Sequence, residues 1–426
     1  MNLEKEDYKA LLTSAYRALA LNAEQIEIAN KLNENEYPEM NELIVEWDTI
    51  VAGSFIQLFL TLTNEKTTVL FRKQFLCCFM TFAQPGEIMA YLITRFCQNE
   101  NKNIKDIVIR LLDIWTSMTS VQFDENMIET LIVLKNFCKK NGMNLFDEKL
   151  ECMIGKLRGT NKVDDDGNEK SIPVPIISDS LPEEKWSLQN ISPIELARQV
   201  TLIHYSIFKQ IEPRELLDEV WGDKNSEMSK NINTLVNHFT IFSNYVSLSI
   251  IVGESPKSRA RTFKNWIDVA NAFYELNNFH GMFSVIMGLT HRSIIRMTTT
   301  MKYALKTNPK RKTAYNEMLN ICDFNNDFQN YRAVIEKAHE PCIPFIGCYQ
   351  KDLIYVQESF PNKINGLINF KKWQECYKLI TIVSNYQRKG YDFLEVPKIQ
   401  ELLLHLPEPT DSKDLMNLSM AKEKKK

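Results

Sequence analysis

The chain has 426 residues, of which 44% are hydrophobic and 25% charged, as expected for a globular protein of two or three domains. Only 13 glycines and 15 prolines argue against a β-sandwich, a β-barrel or a disordered chain. The net charge of −3 gives no electrostatic case for nucleic-acid binding, and no apolar run reaches the roughly 18 residues needed for a transmembrane helix.

Hydrophobic periodicity predicts helices along most of the chain. From residue 11 to about 157 it predicts successive amphipathic helices with short connections. The segment 158–184 is rich in Gly, Pro, Asp and Ser and predicts a linker, within which IPVPII is apolar enough to pack in extended form. Helices resume after residue 185 and continue to 410, and a basic tail, 411–426, is expected to be frayed. The sequence therefore predicts an all-α fold of two helical domains.

Two local patterns in the second half predict how helices begin or pack. Ser192 is an expected N-cap, followed by proline and by Glu195 three residues later, which is a capping-box pattern. In ELNNFHG, Asn277 and Asn278 interrupt a run whose apolar spacing continues as a helix. Asparagine is a poor residue for a helix interior because its amide competes for backbone hydrogen bonds. The pair therefore indicates either a ligand site or a buried crosslink between helices.

The usual signs of bond-breaking chemistry are missing. Neither Gly-rich phosphate-loop motif occurs, and DDDGNE fails the register of a calcium-binding EF-hand loop. Cys342 and Cys348 have neither the spacing nor the neighbours of a zinc site. The nine cysteines lie among apolar neighbours, which is typical of buried thiols in a reducing cytoplasm. We expect no metal and no cofactor, although a cysteine nucleophile with a distant histidine stays open.

Several separated blocks, in their order and spacing, resemble the catalytic domain of Ras-family guanine-nucleotide exchange factors. The blocks are SPIELARQVTLIHYSIFKQIEPRELLDEVW at 192–221, ARTFKNWIDVANAFYELNNFHGMFSVIMGLTHRSIIRM at 260–297, PCIPFIGCYQKDL at 341–353 and GLINFKKW at 366–373. Upstream, 71–96 and 123–137 are similar to the Ras exchanger motif that precedes this domain in many members. The resemblance implies an N-terminal exchanger-motif domain over 1–157 and a catalytic domain with a protruding helical hairpin over 185–410.

The resemblance also implies a function. Such a protein accelerates GDP release from a small GTPase, here of the Ras/Rap/Ral group, without covalent chemistry and without a cofactor. It would act in the cytoplasm, with recruitment to membranes left open. The hairpin would begin near 293–301 and run through 308–338, and its wedge residues would be Ile294, Met297 and Met301. Packing at the hairpin base is the alternative for Ile294 and Met297.

A pocket for the switch II segment of the GTPase is implied at four positions, each with core packing as the alternative. These are Arg198, Thr201, Phe242 and Tyr274, and we expect the guanidinium of Arg198 to be exposed. Asn277 and Asn278 would crosslink helices beneath the hairpin and fix its angle.

One stretch of the hairpin departs from the family pattern. Some members carry an acidic residue there near the GTPase phosphate site, whereas TTTMKYALK has Lys302 and no acid. The alternative function, a non-catalytic GTPase-binding scaffold that keeps the fold, therefore stays open.

Overall fold

A computed structural model of the protein describes residues 2–31, 42–98, 101–118, 123–159, 172–177, 186–223, 226–407 and 412–424. The chain divides into two compact units. The first unit comprises 1–168, 212–219 and 353–380, and the second comprises 169–211, 220–352 and 381–426.

The first unit is built mainly of helices that follow one another along the chain. They are α1 (Asn2–Ala18), α2 (Ala23–Lys31), α3 (Phe55–Leu62), α4 (Val69–Cys78), α5 (Pro85–Gln98), α6 (Lys102–Met118), α7 (Glu125–Lys140) and α8 (Asn144–Leu157), with 3-10 turns at Phe79–Thr81 and Pro213–Leu216. A small antiparallel sheet of order β1-β2-β4-β3 accompanies them. Its strands are β1 (Leu43–Glu46), β2 (Thr49–Gly53), β3 (Lys363–Ile364) and β4 (Leu367–Ile368).

Aromatic side chains fill the core of the first unit and tie its separate chain segments together. The fully buried Trp115 lies 5.2 Å from the ring of Phe79. Phe370 lies 4.7 Å from Phe71, and the thiol of Cys78 donates to the carbonyl of Trp373 at 3.5 Å. Because these contacts join residues far apart in sequence, the unit includes 353–380 and does not end at the predicted boundary.

The second unit consists of helices joined by turns and short extended segments. Its helices are α9 (Pro193–Phe208), α10 (Lys230–Ile251), α11 (Pro256–Glu275), α12 (Phe279–Leu289), α13 (Arg292–Ile295), α14 (Thr298–Leu305), α15 (Pro309–Ile321), α16 (Gln329–Ile335), α19 (Pro397–Leu404) and α20 (Ser412–Lys422), with 3-10 turns at Val220–Gly222, Glu227–Ser229 and Asn325–Phe328. Two more helices, α17 (Ile346–Ser359) and α18 (Phe370–Tyr386), have residues in both units.

The centre of the second unit is α12, which packs against α9, α10 and α11. At Gly288 the backbones of α10 and α12 touch, because a Cβ there would lie 2.6 Å from the carbonyl oxygen of Ser243 and 2.7 Å from Cβ of Val246. The hydroxyl of Ser247 donates to the carbonyl of Gly288 at 2.8 Å. These contacts hold α10 and α12 in close contact, and the rest of the unit packs on this helix pair.

The prediction of an all-α fold is confirmed, although the small sheet was not predicted. The expectation of a frayed tail is wrong for 412–424, because α20 buries Leu415 and Ser419 completely.

All nine cysteines lie within the described residues and are free, and eight of them are buried. No described helix is long and apolar enough to cross a bilayer. The DDDGNE segment, 164–169, and most of the predicted linker lie outside the described residues.

Candidate functional site

The N-terminus of α9 fixes an extended segment against the second unit. Ser192 caps the helix as predicted, accepting the Glu195 N–H at 3.2 Å. The Glu195 carboxylate does not complete a capping box, however. It accepts from the Ile176 N–H at 2.9 Å and from the Gln199 amide at 2.8 Å. The extended segment 172–177, predicted to pack in this form, is thereby tied to α9.

Arg198 lies one turn further along α9 and is more covered than its predicted role requires. Its side chain is only 17% exposed. One guanidinium nitrogen lies 3.4 Å from the Glu195 carboxylate and donates to the carbonyl of Val174 at 3.4 Å. The guanidinium carbon stands 5.4 Å from the centre of the Phe393 ring. The expectation of an exposed guanidinium is therefore wrong, because the 172–177 segment passes over it.

The asparagine pair lies between two helices and not inside one, which corrects the sequence interpretation. Helix α11 ends at Glu275, Asn277 has a left-handed φ of 53°, and Asn278 is the N-cap of α12. The side-chain oxygen of Asn278 accepts the Gly281 N–H at 2.9 Å. Its amide nitrogen donates to the Thr201 hydroxyl at 2.9 Å, and Asn278 is fully buried. A single asparagine thus caps α12 and crosslinks it to α9.

Two of the four predicted switch II contacts have no exposed surface. Thr201 and Phe242 are both 0% exposed, and the Phe242 ring packs 6.3 Å from that of Phe273. Because α9, α10 and α11 meet above them, a direct contact with a partner is not available to either residue in this conformation. Tyr274 is half-buried and keeps an outward edge.

Two buried histidines, His204 and His280, and the half-buried His238 complete a polar cluster, defined here as Thr201, His204, His238, Asn278 and His280. Because Asn278 donates to Nδ1 of His204 at 3.2 Å, the ring proton of neutral His204 is on Nε2, which donates to Nδ1 of His238 at 3.0 Å. Burial lowers the pKa of His238 to about 4 and that of His280 to about 3. It also holds the pKa of His204 well below its usual range, with the neighbouring histidines adding to the effect. All three rings are therefore neutral at pH 7.

The predicted hairpin is present as α14 and α15, which both lie along α11. Contacts pair Arg259 with Thr300 and then Lys264 with Lys306, so α14 runs in the same direction as α11. Helix α15 returns, and its Arg311 makes two hydrogen bonds of 2.7 Å to the carboxylate of Asp268. The turn of the hairpin is thereby tied to the middle of α11.

The three predicted wedge residues face inward to different degrees. Ile294 and Met297 are fully buried, and Met301 packs partly buried against the same core. The alternative of packing at the hairpin base therefore describes Ile294 and Met297 in this conformation, because both side chains belong to the buried core of the unit.

The exposed side of α13 and α14, called here the outer face, carries three apolar side chains that were not among the predicted wedge residues. Ile295, Tyr303 and Leu305 are 54%, 41% and 49% exposed, and Lys302 is exposed among them. Exposed apolar side chains on neighbouring helices are typical of an interaction surface. The exposure of these residues can be recognised only once the structure shows which face of the helices is buried.

An acid does reach the hairpin, although α14 has none of its own. The carboxylate of Glu423 accepts the Thr299 N–H at 2.6 Å and pairs with the guanidinium of Arg259 at 3.1 Å. No sequence pattern singles out Glu423, because it stands in a run of lysines. Among the described residues no cluster of His, Cys, Asp and Glu has the arrangement of a metal site.

Comparison with known proteins shows which family this helical arrangement matches. Residues 195–374, which contain α9 to α17, match the family model of the RasGEF domain. This part of the chain is a RasGEF domain. The RasGEF domain resemblance expected from the sequence is confirmed, whereas the likeness of 71–137 to a Ras exchanger motif stays a prediction.

Several proteins of Dictyostelium discoideum are similar over most of the chain. Ras guanine nucleotide exchange factor R is 28% identical over 87% of this chain and 22% of its own length. Factor J is 28% identical over 83% of this chain and 46% of its own length. Factor A is 27% identical over 88% of this chain and 64% of its own length. The chain thus spans between about a fifth and two thirds of these curated relatives.

Proposed function

We propose that the protein is a guanine-nucleotide exchange factor that accelerates GDP release from a Ras-family small GTPase without covalent chemistry. The observation that carries the proposal is the hairpin of the RasGEF domain. Its inner side is fixed on α11 by Asp268 and Lys264, while its outer side exposes Ile295, Tyr303 and Leu305. A rigid element with an apolar outer face suits insertion into a partner.

Exchange requires only differential binding. A partner that binds the nucleotide-free GTPase more tightly must weaken nucleotide binding by the same factor. Shifting the equilibrium from 1:99 to 99:1 takes about 5.5 kcal/mol of differential affinity. A helical surface can supply this differential affinity if it does not deform on binding. The close contact of α10 and α12 at Gly288 gives the second unit a helix pair that resists deformation.

The residues of the proposed interface fall into two groups. Tyr274 and the partly covered Arg198 would contact switch II directly, and Thr201 and Phe242 would hold α9 and α10 in place from beneath. On the hairpin, the outer face of α14 would approach the nucleotide, with Met301 at its edge and Met297 and Ile294 anchoring its base. Asn277 and Asn278 would set the junction of α11 and α12, on which the hairpin rests.

We also propose the Ras/Rap/Ral group as the partner class and a site of action at cytoplasmic membrane surfaces, where such GTPases reside. The subgroup is inferred from the resemblance of the blocks at 192–221 and 260–297. A panel that includes Rho-family and Arf-family GTPases as negative controls tests it.

The proposal is tested by the release of a fluorescent GDP from purified GTPases, with and without the protein. We expect acceleration on at least one Ras-family member. Leu305→Glu should reduce that acceleration by about tenfold, because a carboxylate on the outer face of α14 would be buried against the partner. Leu404→Glu on α19 is the matched control, since Leu404 is 72% exposed in the same unit.

The outcomes separate the two candidate functions. Binding to a nucleotide-free GTPase without acceleration of release would favour the scaffold, which Lys302 and the missing acid of α14 keep in view. No binding to any member of the panel would refute both. Equal losses of acceleration in Leu305→Glu and Leu404→Glu would show that the outer face of α14 is not part of the interface.

A further inference from the structure

The last described helix, α20, is attached to the base of the hairpin. It packs on α10 and α13, with Leu415 and Ser419 fully buried. The hydroxyl of Ser419 donates to the carbonyl of Ser293 at 2.6 Å and accepts from the guanidinium of Arg296 at 2.9 Å. Both partners come shortly before the first residue of α14.

The first turn of α14 depends on a carboxylate from α20's end. Its N-cap position is Met297, whose side chain makes no capping hydrogen bond. The carboxylate of Glu423 supplies the missing acceptors, with Oε1 2.6 Å from the Thr299 N–H and Oε2 3.3 Å from the Thr300 N–H. Free N–H groups at a helix start favour a negative charge. Glu423 therefore caps α14 through Thr299, which lies 124 residues earlier in the chain.

Arg259 joins this cap to α11. Its guanidinium donates to Glu423 at 3.1 Å, to the Thr300 hydroxyl at 2.9 Å and to the carbonyl of Gly253 at 3.0 Å, and its side chain is 2% exposed. The Thr300 hydroxyl in turn donates to Glu423 at 2.8 Å. Burial opposes ionisation of Glu423, but the hydrogen bonds from Thr300, Thr299 and Arg259 outweigh it and lower the pKa of the carboxyl. The charged pair thus connects α11, α14 and α20.

An eight-residue helix cannot hold its own conformation, since isolated helices shorter than about 12 residues are marginal in water. Helix α14 buries only Thr300 and Ala304 completely. Its direction is therefore set at its start by the carboxylate of Glu423 and at its end by the turn tied to α11.

We propose that Glu423 is a positioning residue for nucleotide exchange, which holds the first arm of the hairpin in the orientation that inserts into the GTPase. The inference rests on the proposed function. If the arm is free to rotate, it must become ordered at each encounter with the GTPase. Less of the interaction energy is then left to displace the nucleotide. The initial encounter with the GTPase uses other surfaces and is unaffected.

The test compares Glu423→Ala and Glu423→Gln with the unmodified chain in the fluorescent GDP assay, over a range of GTPase concentrations. We expect Glu423→Ala to lower kcat about tenfold with KM changed less than about twofold, because the arm would displace the nucleotide less effectively while the initial encounter stays the same. Glu423→Gln keeps an acceptor and the shape of the side chain but loses the charge, so its loss of kcat should be smaller. Glu401→Gln is the control, since that glutamate is 60% exposed and pairs only within its own helix.

A second readout separates positioning from folding. Hydrogen exchange followed by mass spectrometry should show faster exchange in the peptide covering 298–305 of Glu423→Ala, with α10 and α12 as slow as before. The assay temperature is set well below the melting transition of each variant.

Each result decides the inference. An unchanged kcat in Glu423→Ala overturns it, as does a loss of kcat without faster exchange in 298–305. A rise in KM with constant kcat would show that Glu423 acts in binding and not in positioning. If the unmodified chain accelerates no GTPase, the proposed function fails and takes this inference with it, whereas activity that survives in both variants removes the inference alone.

Discussion

Replacing Asn278 by alanine tests whether one buried amide sets the junction of α11 and α12, which we propose to fix the angle of the hairpin. The amide caps α12 through Gly281 and crosslinks α12 to Thr201 and His204 of α9. Alanine removes all three interactions and leaves their partners buried. No other change at this junction removes so many contacts with so few atoms.

The magnitude follows from the contacts. Loss of an N-cap costs about 1 kcal/mol. A buried polar partner left unsatisfied costs about 1–3 kcal/mol, and the Thr201 hydroxyl can recover part of this by rotating. We therefore expect Asn278→Ala to lower the free energy of unfolding by about 3 kcal/mol. In a double-mutant cycle with Thr201→Val the coupling energy should be about 1 kcal/mol.

The assay is urea unfolding at pH 7, combined with GDP release at a temperature at which each variant is fully folded. Under the proposed function, the exchange rate should fall further than the loss of folded protein explains, because we propose that the junction also sets the angle of the hairpin. Asn277→Gly is the control: Asn277 has a left-handed φ that glycine adopts freely, and its side chain makes only the 2.9 Å hydrogen bond to the carbonyl of His339 among the described contacts.

A stability change below about 0.5 kcal/mol for Asn278→Ala would refute the reasoning about the crosslink. A strictly proportional loss of exchange and stability would leave Asn278 with a purely structural role. Equal effects in Asn277→Gly would show that the backbone turn, and not the buried amide, sets the junction.

Three further predictions concern stability. The free energy of unfolding should be full above about pH 6.5 and fall below it, by roughly 2 kcal/mol at pH 5 for each of His238 and His280. The reason is that the unfolded chain binds protons that the folded protein excludes. Urea titrations at pH 7 and pH 5 measure this, and equal midpoints would contradict it. Gly288→Ala should cost about 1–3 kcal/mol by forcing α10 and α12 apart, and an unchanged melting temperature would disprove the close contact. Asp268→Asn should cost at most about 1 kcal/mol at low salt and less at high salt, since its ion pair with Arg311 is partly exposed; a cost that does not change with salt would argue against a Coulombic role.

Local signals predicted the helices and their starts well. Ser192 followed by proline is a cap signal that needs no tertiary context, and the structure has it as predicted. The asparagine pair was misread because the apolar spacing on both sides continues in phase, while the left-handed φ of Asn277 leaves no trace in hydrophobic periodicity. The turn between β1 and β2 was missed for a related reason, since its left-handed residues are Trp47 and Asp48 and no glycine marks it.

The site was harder to predict than the fold, because exposure depends on which helices meet. Thr201 and Phe242 stand at the positions implied by the resemblance, yet α9, α10 and α11 close over both. Arg198 is covered by a segment that precedes α9 by some twenty residues. Glu423 acts over a still longer separation, and no local pattern distinguishes it from the lysines around it.

The tie between 172–177 and α9 determines where an independently folding fragment of this chain can begin. A fragment that starts at residue 195, where the family match starts, lacks the Ser192 cap and the Ile176 N–H that satisfies the 1%-exposed Glu195. It also lacks Leu188 and Ile191, which belong to the buried core. Trimming the chain to the segment that the family model matches would therefore remove contacts that support the first turn of α9. Beginning before Ile172 keeps every one of these contacts.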